Sequence, residues 1–378
     1  MSISFEHFSS YVPVWVSKKE VIKLHKITVA GHTCVDLIPD WNGKFEDIMP
    51  GHLIVTGRMR FSIGGAVPNT GVDLKRLGLD PLLIGKIGDD LIGKITLEVI
   101  RANGDDLTDH IMIGHEAGSS YTLVLSPPES DRAFLHYPGV NDTFCADDIP
   151  FDDLAGSKLF HFGYPPVMKR IYQKGGDELI KIFKNAHDHS MITSLDMTMP
   201  DPNSESGKID WKRFLSNVLP YTDIFLPSFD EILYMTKRQG NLSHELVEKL
   251  TDELLGYGVK IVVIKLGRDG AYLRSKKISS DDPVSKIIDP RAWSEIELFS
   301  PAFKTTVAGT TGSGDASIAG FLSKFVDGIN PKDTLDFMCA VGAFCVEAVD
   351  STSGVKHMKI IEERIKRGWE RLPSDLKI

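Results

Sequence analysis

The run Gly309-Thr310-Thr311-Gly312-Ser313-Gly314-Asp315-Ala316-Ser317 gathers glycines, small hydroxyl residues and a single acid. Ile318, Phe321, Leu322, Phe325 and Val326 follow at i, i+3, i+4, i+7, i+8 spacing, so the run opens a helix with one buried face. A helix start presents unpaired backbone N–H groups and the positive end of the helix dipole. Glycines let a phosphate approach that backbone without a Cβ in the way. The Lys-Ser/Thr that completes a P-loop is missing, which speaks against a Walker-type site. Instead an aspartate stands at the mouth of the anion site, where it would repel a resting anion. A general base accounts for it: Asp315 takes a proton from an attacking hydroxyl while the Gly312, Ser313 and Gly314 amides stabilise charge on a transferring phosphoryl group. The plainer reading is an Asp favoured by the dipole beside a tight glycine turn.

The elements that must position this run form a βα alternation. Lys26–Ala30 reads as a strand ending at Gly31, followed by residues 36–64 with aromatics, glycines and little helical period. Gly64-Gly65-Ala66-Val67-Pro68-Asn69 leads into a helix that stops at Gly78, Leu82–Ile87 is a strand, and Asp89-Asp90 open a helix ending at Gly104. Tyr121–Leu125 and Ala133–Tyr137 pair around a Pro-Pro turn. After Cys145, strand-like runs recur at Leu159–Phe162, Ile192–Asp196, Asp223–Leu226 and Lys260–Ile264, separated by amphipathic helices. Such alternation argues for a doubly wound, mostly parallel α/β sheet flanked by helices, with ligands at the carboxyl ends of the strands. Residues 276–300 are polar and read as a loop insertion. Asn330-Pro331 starts a buried helix whose apolar run is Leu335–Val349. Residues 1–26 read as an N-terminal extension and 27–378 as one domain.

At 42% hydrophobic and 25% charged, 378 residues suffice for a large core. A formal net charge of −9 argues against nucleic acid or a membrane surface as partner. Cys34, Cys145, Cys339 and Cys345 lack metal-ligand spacing and read as reduced core residues of a cytoplasmic protein. There is no membrane-spanning run and no signal-peptide pattern.

Two segments together resemble the ribokinase-like (PfkB) carbohydrate kinases. One is Gly64-Gly65-Ala66-Val67-Pro68-Asn69 with Ile84-Gly85-Lys86-Ile87-Gly88-Asp89-Asp90 and Gly93. The other is Thr310-Thr311-Gly312-Ser313-Gly314-Asp315 with Ala319-Gly320-Phe321. The resemblance implies a Rossmann-like core with a small β-sheet lid, from segments 36–64 and 111–140, and transfer of the ATP γ-phosphoryl group to a hydroxymethyl group. It implies Asp315 as base, with Gly312 to Gly314 as anion hole. It implies Asp36, Gly64, Gly65 and Asn69 against the sugar, although Asp36 also fits a strand-end turn and the glycines a helix entry. For ATP it implies Thr310, the loop Lys265-Leu266-Gly267-Arg268-Asp269-Gly270, and an adenine wall near Cys339 and Ser351–Gly354. It further implies possible pairing of two copies through the lid.

Two departures matter. The family's Asn-x-x-Glu, associated with Mg2+ and phosphate, is here Ser228-Phe229-Asp230-Glu231, which is also a helix capping box. Gly309 replaces the Asp that often precedes Thr-Thr-Gly, which puts a monovalent cation in doubt. A nucleoside kinase is the alternative acceptor class, since Trp41, Phe45, Phe61, Phe134 and Tyr137 could sandwich a base. A non-catalytic sugar- or nucleotide-binding regulator is the alternative outside enzymes. A Rossmann dehydrogenase is discounted, because no Gly-x-Gly-x-x-Gly follows the first strand.

Overall fold

The computed structural model describes residues 26–128, 132–154, 156–374 and 376, so all of the N-terminal extension but Lys26 lies outside it. Among the described residues, thirteen strands form two sheets. They are β1 (Ile27–Gly31), β2 (Cys34–Pro39), β3 (Met59–Gly64), β4 (Leu82–Gly88), β5 (Ile111–Gly114), β6 (Tyr121–Leu125), β7 (Ala133–Tyr137), β8 (Leu159–Gly163), β9 (Ile192–Leu195), β10 (Ile224–Phe225), β11 (Ile261–Lys265), β12 (Ala271–Ser275) and β13 (Glu297–Ser300). The helices are α1 (Ala66–Leu77), α2 (Leu91–Arg101), α3 (Lys169–Tyr172), α4 (Asp177–Asp188), α5 (Trp211–Val218), α6 (Phe229–Thr236), α7 (His244–Gly256), α8 (Pro290–Trp293), α9 (Ser313–Val326), α10 (Pro331–Cys345) and α11 (Met358–Lys366).

The large sheet runs β13-β12-β11-β10-β9-β8-β1-β4-β5. It is parallel from β5 to β11, and β12 and β13 close one edge antiparallel. Its central strands are apolar on both faces, as strands covered by helices on both sides must be. Ile27 and Val29 face the layer of α1, α9 and α10, while Phe160 and Phe162 face the layer of α3 to α7.

Helix ends follow local chemistry. Asp90 accepts from the Gly93 amide at 2.7 Å and starts α2, and Asn330 accepts from Asp333 at 3.0 Å with Pro331 at the first position of α10. Gly78 closes α1 in the left-handed conformation.

The second sheet, β3-β2-β6-β7, is built from the two segments expected to form a lid. Register puts Ser62, Asp36, Thr122 and His136 in one row across it. By alternation Cys34, Ile38, Arg60, Val124 and Phe134 share that face, while Phe61, Leu135 and Tyr137 take the other.

Two expectations are corrected. Residues 276–300 are not simply a loop insertion: Ile278, Val284, Ile288 and Trp293 are buried, Trp293 packs on Phe321 and Phe325, and β13 joins the sheet. The polar residues between them hid a core segment of single apolar anchors. The last apolar helix ends at Cys345, not Val349, which is exposed. All four cysteines are free and buried.

Candidate active site

The carboxyl ends of β1, β8, β9, β10 and β11 point the same way because these strands are parallel, and the glycine-rich run lies over them. Gly312 caps α9 at φ 75°, and a Cβ there would stand 2.5 Å from the Ser351 Cβ, so both conformation and space require glycine. The tight entry puts Asp315 in the first turn, 2% exposed. Tyr164 donates its hydroxyl to both Asp315 oxygens at 2.9 Å, and Asn69 Nδ2 donates to Oδ2 at 2.9 Å. Asn69 in turn accepts from Ser351 Oγ at 3.0 Å. Burial, with Asp196 adding to it, raises the Asp315 carboxyl to about 7, against the pull of Lys265 and the two hydrogen bonds.

Beside it, Lys265 Nζ donates to Asp196 Oδ1 at 2.6 Å and reaches the glycine turn: a Cβ on Gly314 would lie 3.6 Å from Nζ. Burial would lower the Lys265 ammonium, but Asp196, Glu231 and Asp315 outweigh it and hold its proton above the ordinary range. Loss of water raises Glu231 to about 7, with Lys265 opposing. Glu231 also closes the capping box: its Oε2 accepts from the Ser228 amide at 2.7 Å, and Ser228 Oγ accepts from the Glu231 amide at 3.4 Å. One ammonium thus faces three carboxyl groups, a surplus of hard oxygen donors that suits Mg2+. Glu231 Oε1 and Asp196 are the donors that would hold it.

A cleft of about 300 Å³ separates the inner lid face from the loops 308–311 and 349–351. Asp36, Arg60 and Arg132 line it with Thr310 and Ser351, and Arg132 donates to Thr310 Oγ1 at 2.8 Å. Burial pushes Asp36 up to about 7, against hydrogen bonds from Thr122 and Cys34 and the charge of Arg132. Gly64 and Gly65 bring backbone against this corner; a Cβ on Gly65, at φ 87°, would stand 2.7 Å from the His32 carbonyl oxygen.

The structure therefore gathers Asp315, Gly312, Gly314, Lys265, Ser228 and Glu231 at one place, with Asp36, Gly64, Gly65 and Thr310 around the adjoining cleft. Asn69 faces Asp315 rather than the cleft. The Ser313 amide lies 3.4 Å from the Thr310 carbonyl and its hydroxyl donates there at 3.0 Å, so this residue ties down the turn. Gly267 and Gly270 shape the turn after β11, both at positive φ. Cys339 faces the core, its thiol donating to the Ser300 carbonyl at 3.5 Å. Of the aromatic residues proposed to sandwich a base, only Phe134 lies on the inner lid face; Trp41 is buried against Phe45, and Phe61 and Tyr137 point outward. Sequence reasoning missed Tyr164, Asp196, Arg60 and Arg132. Asp196 gave a usable signal, an acid at the carboxyl end of a strand.

A profile of the pfkB family of carbohydrate kinases matches residues 24–358. The chain belongs to that family. It is a phosphotransferase with an alcohol group as acceptor. It is 26% identical over 351 residues to the 5-dehydro-2-deoxygluconokinase of Bacillus subtilis, covering 91% of this chain and 97% of that one. It is 24% identical over 344 residues to a protein of Arabidopsis thaliana named "Probable fructokinase-6, chloroplastic", covering 89% of this chain and 81% of that one. Among solved structures, the ribokinase of Arabidopsis thaliana with ribose and ATP matches with TM-score 0.71 at 17% identity over 90% of this chain and 99% of that one. A protein of E. coli described as a ribokinase II, solved with ATP and Mg2+, matches with TM-score 0.70 at 20% identity over 91% and 100%. These two likenesses confirm the fold.

Proposed function

We propose that the protein transfers the γ-phosphoryl group of ATP to a hydroxymethyl group of a sugar or sugar acid. The observation that carries this reading is Asp315: a buried carboxyl with a proton affinity near neutrality, at a glycine-shaped helix start, next to a cleft under a lid. Asp315 accepts the acceptor hydroxyl's proton as its oxygen bonds to the γ-phosphorus and the bond to the ADP oxygen breaks. Tyr164 and Asn69 hold the carboxylate in position. The Gly312 and Gly314 amides and the Lys265 ammonium oppose the charge on the transferring group. Mg2+, when bound, neutralises phosphate charge at Glu231 and Asp196. Asp36 orients acceptor hydroxyls.

Two arginines in the cleft, Arg60 and Arg132, favour an acceptor that carries a carboxylate, because guanidinium pairs with it in a planar fork. The name of the Bacillus relative, 5-dehydro-2-deoxygluconokinase, is consistent with that class. Of the five rings suggested for a base sandwich, the nucleoside alternative retains Phe134 on the cleft side of the lid. Exposed apolar residues on the other lid face, Phe61 and Leu135 among them, support association of two copies there.

A coupled ADP-release screen over neutral sugars, sugar acids, phosphosugars and nucleosides tests the reading. We expect the best kcat/KM with a sugar acid, and Arg60→Ala to raise its KM tenfold or more with little change in kcat. Turnover with nucleosides alone would replace the sugar reading. No acceptor-dependent ADP release from any class would return the protein to the non-catalytic alternative.

A further inference from the structure

One cluster of chemically capable side chains has no part in phosphoryl transfer. His32, in the connection from β1 to β2, Cys34 at the start of β2 and His136 on β7 each offer a nitrogen or sulfur atom, and the three atoms lie within 4.8 Å of one another. His32 and Cys34 are 3% and 2% exposed, while His136 sits at the open rim. The two imidazole rings meet edge to face, with centroids 5.0 Å apart.

Each imidazole has one nitrogen near a hydroxyl group. His32 Nε2 lies 3.4 Å from Ser120 Oγ, and that hydroxyl donates to the Tyr137 carbonyl at 2.8 Å. His32 Nδ1 is buried and has no hydrogen-bond partner among the described residues, an expensive state for a polar atom. His136 Nδ1 lies 3.1 Å from Thr122 Oγ1, which is itself 3.7 Å from Cys34 Sγ. Metal-bound histidines are fixed in this way, by a partner on the nitrogen that does not bind. Asp36 Oδ1 accepts from the Cys34 thiol at 3.8 Å, so a carboxyl oxygen stands at the same spot.

We propose that His32, Cys34 and His136 form a site for a Zn2+-class cation, with Asp36 or solvent completing the tetrahedron. Two imidazoles and a thiol are donors that Zn2+ or Co2+ takes and Mg2+ refuses. Ligands around such an ion stand about 3.5 Å apart, so the three donors, now within 4.8 Å of one another, must draw closer on binding. Binding converts the Cys34 thiol to a thiolate and releases its proton to solvent.

The site's position gives it a consequence. It joins a lid strand to the connection that leaves the core sheet, and it lies beside the carboxyl proposed to orient the acceptor. Where Asp36 completes the tetrahedron, a bound ion pins the lid and withdraws that carboxyl, so it acts as an inhibitor competitive with the acceptor. This consequence rests on the proposed function; the metal site itself does not.

The test is a Co2+ titration of the reduced, chelator-treated full-length protein, followed by absorbance. We expect one equivalent to give intense tetrahedral bands and a thiolate-to-cobalt charge-transfer band, all lost on adding one equivalent of Zn2+. Cys34→Ser should abolish the charge-transfer band, and His136→Gln, a rim substitution that leaves the fold intact, should weaken Co2+ binding tenfold or more. A weak octahedral spectrum, or bands unchanged in either variant, would overturn the site. Zn2+ binding without inhibition would overturn only the competitive consequence, and an inactive protein that still binds Co2+ in this way would separate the site from the kinase reading.

Discussion

Tyr164 donates its one hydroxyl proton to both oxygens of Asp315 from a left-handed backbone position, φ 65°, that a tyrosine rarely adopts. A non-glycine residue held there costs on the order of 1–3 kcal/mol, and here the strain places the phenol on the proposed base. The consequence for pH is directional. Asp315 accepts a proton only when ionised, so kcat/KM should fall as pH drops through the region of about 7, where burial has raised its carboxyl. The Tyr164 hydrogen bond favours the ionised form, so Tyr164→Phe should move this acid limb to higher pH, by up to about one unit, the worth of one good hydrogen bond. A pH–rate profile of both enzymes reads this, and a limb that stays in place would remove Tyr164 from the control of Asp315. None of this was legible in the sequence. Asp315 was, because glycines and an acid at a helix start make a local pattern. Tyr164 and Asp196 reach the site only through tertiary placement, each at the end of a strand remote in sequence.

At the scale of elements, α6 begins with a capping box, and the same glutamate faces Lys265 and Asp196. Both readings of Ser228-x-x-Glu231 thus remain compatible with one side chain: Oε2 caps the helix and Oε1 is available to Mg2+. Glu231→Gln keeps an oxygen for the cap but loses the charge. We expect it to raise the Mg2+ concentration for half-maximal activity tenfold or more, the usual scale for a group supporting a metal, with a melting temperature within about 2 °C of wild type. An unaltered Mg2+ response would assign Glu231 to the helix alone. Other elements were read from sequence with uneven success. β6 and β7 were found at their observed bounds because each is a short β-prone run flanked by turn residues. β13 and the buried Trp293 were missed because single apolar anchors spaced among polar residues carry no period.

At the scale of the whole molecule, the four-stranded sheet joins the core through the connections 32–33, 65, 115–120 and 138, and its inner face lines the cleft. Closure over the acceptor would exclude water, which otherwise competes for the phosphoryl group. Hydrogen exchange in residues 36–64 and 121–137 should slow when the true acceptor binds and change much less with ATP alone; equal exchange with and without acceptor would argue against closure. The β7 edge and the outer lid face, where Leu135 is 59% exposed, should also pair two copies. Light scattering at micromolar concentration should show a dimer that Leu135→Lys dissociates, and a monomeric wild type would remove that interface without touching the catalytic account. The account as a whole turns on Asp315. The direct measurement is turnover of Asp315→Asn at pH 8 with saturating ATP, Mg2+ and acceptor, alongside its ATP affinity. Unchanged ATP binding with turnover reduced by roughly two to four orders of magnitude is the predicted result, and turnover within tenfold of wild type would contradict it.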